Sequence, residues 1–348
     1  MSSSLRSIHE FQQLAQKKLR SDAWTYLEGG AEREWTLHRN EAIFRRYQIR
    51  PRRLVDVSTI DLSVDIFGKR WPSPIFLVPI GYQKFFDPHG ALTTAKAAHA
   101  TETLMIASTV TQVPFSVIAS PFTEDKPWFQ LYPTQKRTFT KTLIQQAEAA
   151  GSRVLVLTTD VPVLGNRPTQ GKIVLQSLPE EARQLGNLPH LPMHESYHDP
   201  SMTWDIIRWI RSVTDMKIVL KGILSPEDAI IAIDHKVNGV YISNHGGRQL
   251  DSNLSTLECL GEIAKVIKGK IPIFIDGGFR RGTDIFKALA LGATAVGIGR
   301  PYIYGLSSKG QQGVEGVIAI LRSELYRNMQ LAGVPNIASL NQNFVRRI

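Results

Sequence analysis

Short apolar runs recur along the chain, and the stretches between them carry a different period. Eight runs stand out: 75–79 (IFLVP), 104–108 (LMIAS), 128–132 (WFQLY), 154–158 (VLVLT), 217–221 (KIVLK), 240–243 (VYIS), 271–276 (IPIFID) and 295–299 (AVGIG). Each is rich in β-branched or aromatic residues and too short for a helix, so each predicts a strand. Their apolar positions are continuous rather than alternating, which suits parallel strands covered on both faces. Between them, residues 91–100, 136–150, 203–213, 226–235, 256–268 and 283–291 read as amphipathic helices. Residues 115–119 predict a shorter helix and 313–331 a long final one.

Local signals agree with these boundaries. Ser225 precedes Pro226, an N-cap followed by proline at the first helical position, and Glu227 and Asp228 place negative charge in the first turn. Gly151 and Gly292 stand where two alanine-rich helices should stop. Eight strand–helix units predict a (β/α)8 TIM barrel. A doubly wound open sheet is the rival, but no G-x-G-x-x-G follows the first strand. The chain is therefore read as one domain, 1–348, with an N-terminal helical segment (1–70), the barrel (71–333) and a C-terminal tail (334–348). Residues 165–202 form a long irregular stretch after the fourth strand, with four prolines between Pro179 and Pro200. As a βα loop it belongs over the active face.

Composition narrows the setting. A hydrophobic fraction of 43% with 21% charged residues is that of a folded globular chain. One cysteine, Cys259, permits neither an internal disulfide nor a cysteine-rich zinc site, and its place in a predicted helix makes it a buried small residue. The start has no apolar signal region, no run is long enough to span a membrane, and the end lacks a peroxisomal tripeptide, so a cytoplasmic protein without a membrane anchor is expected. The net charge of +10 calls for anionic partners. Arg45, Arg46, Arg50, Arg52 and Arg53 cluster, but without any zinc, helix-turn-helix or RNA-binding pattern, so a solvated or subunit-contact role is expected rather than nucleic acid.

In barrels the chemistry sits at the C-terminal ends of the strands. Those ends carry Pro79 and Gly81, Ser108 and Thr109, Gln130 and Tyr132, Thr158 and Asp160 with Arg167 close behind, Lys221, Ser243 with His245 and Arg248, Asp276 with Gly278 and Arg280, and Gly299 with Arg300. Glycine-rich turns at 276–282 (DGGFRRG) and 297–300 (GIGR) let backbone N–H groups approach a phosphate, and Arg280 and Arg300 add charge. In 243–251 (SNHGGRQLD), a histidine base lies three residues before an arginine fork that can grip a carboxylate. Chemistry at a carbon bearing both hydroxyl and carboxylate needs that pair.

These motifs, with 275–293 (IDGGFRRGTDIFKALALGA), resemble the FMN-dependent L-α-hydroxy-acid oxidases and dehydrogenases over nearly the whole chain. The resemblance implies FMN as cofactor and oxidation of an L-2-hydroxy acid to the 2-oxo acid. Electrons would pass to oxygen with formation of H2O2. The alternatives are a lactate-monooxygenase outcome, a dehydrogenase using quinone or another acceptor, or, more distantly, a non-redox phosphate-binding barrel. By position it makes His245 the catalytic base, Asp160 its partner, Tyr132 the contact to the substrate oxygen, and Lys221 the cation beside flavin N1 and O2. Arg167, Arg248 and Tyr26 would hold the substrate carboxylate. FMN would be contacted by Pro79, Gly81, Ser108, Gln130, Thr158, Lys221, Ser243, Asp276, Gly278, Arg280, Gly299 and Arg300. No metal is implied, and a homotetramer is.

Four departures from glycolate oxidase qualify the resemblance. Gly81 stands where oxidases usually have alanine, and the missing methyl would leave space above the flavin. Thr109 replaces a pocket tryptophan and would open that wall. Asn166 replaces an arginine beside the clamp, with 168–171 (PTQG) following it and Arg167. The loop after the fourth strand is shorter and lacks the apolar insertion of membrane-bound relatives.

Overall fold

The computed structural model describes residues 5–168, 184–187 and 198–348. The eight apolar runs form eight parallel strands: β1 (Ile75–Leu77), β2 (Leu104–Ser108), β3 (Trp128–Leu131), β4 (Val154–Thr158), β5 (Lys217–Ile223), β6 (Gly239–Ile242), β7 (Ile273–Ile275) and β8 (Ala295–Ile298). Each pairs with its sequence neighbours, and β8 closes on β1 through Val296–Ile75 to Ile298–Leu77. Continuous burial along β2, β3, β4 and β6 explains why their apolar patterns do not alternate. The helices start where the sequence signals them. Ser225 Oγ accepts from Asp228 N, and Ser255 and Glu258 form a reciprocal capping box at Thr256–Ile267.

The barrel interior is packed with rings. Phe76 meets Tyr241 and Phe274 at 5.4 and 5.9 Å, and Trp128 meets Phe274 at 5.3 Å. Residues 1–70 were expected to be helical, and Ile8–Lys18, Ser21–Glu28 and Trp35–Ala42 are. The segment also holds strands of three residues, too short to show a period. Val64–Ile66 and Lys69–Trp71 pair as a hairpin whose tip, Phe67, packs on Trp128 at 5.4 Å and so stops the N-terminal end of the barrel. Tyr47–Ile49 pairs antiparallel with Val345–Arg347, tying the start of the fold to its tail. With the lower end stoppered, access is from the C-terminal ends of the strands.

The stretch Arg300–Ala332 is two helices joined at a kink, where Lys309 and Gly310 leave helical geometry and Gly310 takes φ 59°. The second contains the predicted 313–331. The first follows β8 directly, which places a helix start at the GIGR turn.

Candidate active site

After β6 the backbone turns through three successive left-handed residues, His245 (φ 58°), Gly246 (64°) and Gly247 (76°). A histidine in this region costs conformational energy that the surroundings must offset. The Ser243 Oγ accepts from His245 N at 3.1 Å and from Lys221 Nζ at 2.9 Å, which links the turn to β5. The imidazole is then held at both nitrogens. Nδ1 lies 3.3 Å from each Asp160 oxygen, and Nε2 lies 3.2 Å from the Tyr132 hydroxyl. Asp160 directs the ring proton to Nδ1 and leaves the Nε2 lone pair facing the cavity.

Room for Asp160 comes from a residue that sequence reading passed over. Gly222 has φ +107°, and a Cβ there would stand 2.7 Å from Asp160 Cβ. The ladder between β5 and β6 shifts register at this point, between Lys221 and Ile223. The signal was a glycine inside a strand pattern, which marks a bulge or close approach.

Electrostatics set the protonation states. Burial lowers His245 below the ordinary histidine value, Asp160 opposes this and Lys221 adds to it, leaving the ring neutral at neutral pH. For Asp160, burial favours the acid form, but Lys221 and His245 outweigh it and hold the carboxyl below its usual range. Burial, then the Asp160 charge, raises the Tyr132 phenol well above ten, so it keeps its proton.

Two guanidiniums enter the same cavity. Arg248 Nη1 donates to Tyr26 O (2.8 Å) and Gly29 O (2.6 Å), and its plane lies over the Tyr26 ring at 4.9 Å. Arg167 donates from Nε to Arg248 O and from Nη2 to Gln249 Oε1, both at 2.8 Å. Burial pulls Arg248 down to about 9 and lowers Arg167, and both stay charged at neutral pH. Gln249 and Asp251, quoted in the SNHGGRQLD motif without roles, act as anchors. Gln249 aims Arg167, and Asp251 accepts from Arg33 N and Thr36 N, pinning the start of the helix Trp35–Ala42 to the segment after β6.

The cavity measures about 700 Å³ and extends from these groups to the ends of β7 and β8. That is within the size range of ligand and cofactor sites. Pro79, Gly81, Ser108, Lys221, Asp276, Gly278, Arg280, Gly299 and Arg300 line it, with Tyr26, Tyr132, Arg167, His245 and Arg248. Gln130 and Thr158 stand behind Ser108 in a buried relay: Ser108 donates to Gln130 Oε1, and Gln130 Nε2 donates to Thr158 Oγ1.

The donor set fits a flavin mononucleotide. Asp276 Oδ2 accepts from Tyr241, while its buried Oδ1 has no hydrogen-bond partner among the described residues and suits a ligand hydroxyl. Arg280 and Arg300 sit at the starts of Gly282–Ala290 and Arg300–Ala332, a cationic pocket with two helix N-termini. Burial opposes charge on Arg280, yet Tyr304, Glu41, Glu28 and Asp284 carry it above its ordinary value, whereas burial and then Arg280 lower Arg300. The buried Lys221 side chain, two residues before the end of β5, lines the same space.

Two expectations need correction. Thr109 is not part of the cavity wall among the described residues. It is buried, and its hydroxyl donates back to Gln130 O at 2.5 Å and accepts from Tyr132 N at 3.1 Å. A β-branched hydroxyl this close to a strand end is captured by the neighbouring backbone. Gly81 lines the cavity, but an added Cβ would stand 2.7 Å from Val110 O rather than in open space. Glycine here permits a close backbone approach, sealed by Tyr82 N donating to that same oxygen at 3.0 Å. Asn166 lines the cavity beside Arg167, and its Nδ2 donates to Glu32 of the N-terminal segment at 3.0 Å. The shorter loop after β4 lies largely outside the described residues. His198, on its described return, lines the cavity and carried no sequence signal.

Residues 15–347 match the model of a family described as FMN-dependent dehydrogenase. The peroxisomal (S)-2-hydroxyacid oxidase GLO3 of Arabidopsis thaliana is 42% identical, over 98% of this chain and 96% of its own. The L-lactate oxidase of a Nostoc species is 39% identical, over 99% and 98%. A mandelate oxidase structure with (S)-4-hydroxymandelic acid superposes with a TM-score of 0.89 at 33% identity, covering 98% of both chains.

Proposed function

The chain belongs to the FMN-dependent dehydrogenase family, and from that premise we propose that it oxidises an L-2-hydroxy acid to the 2-oxo acid and delivers the electrons to oxygen, with formation of hydrogen peroxide. The observation that carries this reading is His245 held between Asp160 and Tyr132 in one cavity with Arg167, Arg248 and Lys221. FMN, when bound, supplies the two-electron acceptor that no side chain here offers. Pro79, Gly81, Ser108, Gln130, Thr158, Lys221, Ser243, Asp276, Gly278, Arg280, Gly299 and Arg300 would hold it, Gln130, Thr158 and Ser243 from behind the lining.

Arg248 and Arg167 grip the substrate carboxylate, with Tyr26 beside them. That fixes which hydrogen and which hydroxyl face the reacting side. His245 Nε2 takes the proton the substrate releases. Asp160, kept ionised by Lys221 and the imidazole, then stabilises the imidazolium. Tyr132, protonated throughout, donates to the substrate oxygen as it becomes a carbonyl. The named oxidase relatives favour oxygen as acceptor. The reading also takes residues 1–348 as one domain that assembles as a homotetramer in the cytoplasm; light scattering and cell fractionation test those parts.

The deciding experiment is anaerobic mixing of the yellow holoenzyme with a panel of L-2-hydroxy acids, then admission of air with assay of 2-oxo acid and peroxide. Bleaching followed by stoichiometric peroxide is the expected result, and no bleaching across the panel overturns the reading. A pH dependence follows from His245. The base must be neutral, and its value lies below 6.5 because burial disfavours the cation. The kcat/KM for reduction should therefore be level through neutral pH and fall only below pH 6.5. An acid limb above that value contradicts the assignment.

A further inference from the structure

We propose that His198 is a positioning residue for Tyr132, bracing the phenol so that its hydroxyl meets His245; this rests on the role given to Tyr132 above. The two rings stand 5.7 Å apart at 82°, an edge-to-face pair. Tyr132 also lies nearly parallel to the His245 ring, at 25° and 6.4 Å, so the phenol is held between two imidazoles from different loops. Both histidines and the tyrosine line the cavity.

The backbone carrying His198 is linked to the helix that follows Tyr132. The next residue, Asp199, is buried. Its Oδ1 accepts from Ser201 N at 3.0 Å and from Ser201 Oγ at 2.5 Å, and its Oδ2 lies 3.9 Å from Arg137 Nη2. Arg137 opens the helix Arg137–Ala149, which follows β3 and Tyr132, and its guanidinium stacks on Trp209 at 4.9 Å. The two partners of the ring pair are thus held in one frame, with Arg137 outside the cavity as the shared support. An uncharged ring suits this place, since burial and the Arg167 charge both disfavour a second cation there. Burial, with His245 and Arg167 adding to it, lowers His198 to about 4.

An edge-to-face pair contributes about three- to tenfold in an equilibrium constant. The test is a double-mutant cycle of His198→Ala with Tyr132→Phe in the FMN-loaded enzyme. It is read by anaerobic flavin reduction and, independently of turnover, by the absorbance change on binding oxalate, which offers a carboxylate beside a second oxygen. His198→Ala should weaken oxalate binding about three- to tenfold and slow reduction by at least as much. His198→Phe, which restores a ring without nitrogen, should recover most of both. In the Tyr132→Phe background, where no hydroxyl remains to be aimed, His198→Ala should change either readout less than twofold. Arg137→Gln, which leaves the cavity wall intact, should shift oxalate binding in the same direction and lose that effect in the Tyr132→Phe background. Losses that multiply in the double variant, or a His198→Phe enzyme as impaired as His198→Ala, overturn the brace alone. A Tyr132→Phe enzyme equal to the parent in both readouts overturns the Tyr132 role and the brace with it.

Discussion

Replacing His245 with glutamine should slow substrate-driven flavin reduction by about 10²- to 10⁴-fold while the purified protein stays yellow. Glutamine retains a polar side chain beside Asp160 but offers no basic nitrogen at the Nε2 position, 3.2 Å from the Tyr132 hydroxyl. FMN retention is expected because the residues assigned to the phosphate, Arg280 and Arg300, belong to other strand ends. Stopped-flow reduction under anaerobic conditions measures the loss, and bound flavin per chain measures retention. Reduction at the parent rate would remove His245 from the mechanism.

The second large effect is expected from Arg248→Lys, a loss of about 10²- to 10³-fold in kcat/KM, most of it in KM. A hydrogen bond to a charged group contributes about 1.5–3 kcal/mol, and a two-point fork on the carboxylate contains two of them. Lysine keeps the charge but has neither the planar fork nor the geometry to serve Tyr26 O and Gly29 O while facing a ligand. Because those two carbonyls belong to the N-terminal segment, the variant should also loosen its docking. Limited proteolysis should then cut near residue 30 earlier than in the parent. An unchanged KM would show that Arg167 holds the carboxylate without Arg248.

Much of this site was legible along the chain because barrels place function at strand ends, and strand ends are local features. Lys221 closes its apolar run, His245 and Arg248 follow theirs within a few residues, and Asp276 closes another. Gly222 was harder to see. Its positive φ falls at the register shift between β5 and β6, and Asp160, from the preceding strand end, occupies the space where a side chain would go. Thr109 and Gly81 were misjudged for the same kind of reason. Each was read by the side chain it lacks, whereas its actual environment is a backbone carbonyl: Gln130 O for Thr109, and Val110 O for Gly81. Such contacts depend on how neighbouring strand ends are staggered, which no period encodes.

The residual positive charge shows the same division. Arg45 and Arg46 cluster in sequence, but only the pairing of Gln48 with Arg346 and Tyr47 with Arg347 brings the tail's arginines alongside them.

By itself, the sequence determined the β/α rhythm, the helix caps and the identities of the groups at the mouth, because each depends on residues within one turn or one strand. The tertiary structure decided the stopper at Phe67, the helix start at Arg300, the brace around Tyr132 and the protonation states. Those arise from burial and from charges that lie far apart along the chain, as with Asp160, 85 residues from His245, and Lys221 around the same ring. Desolvation and Coulomb interaction act through space, so they take their values only when the barrel closes.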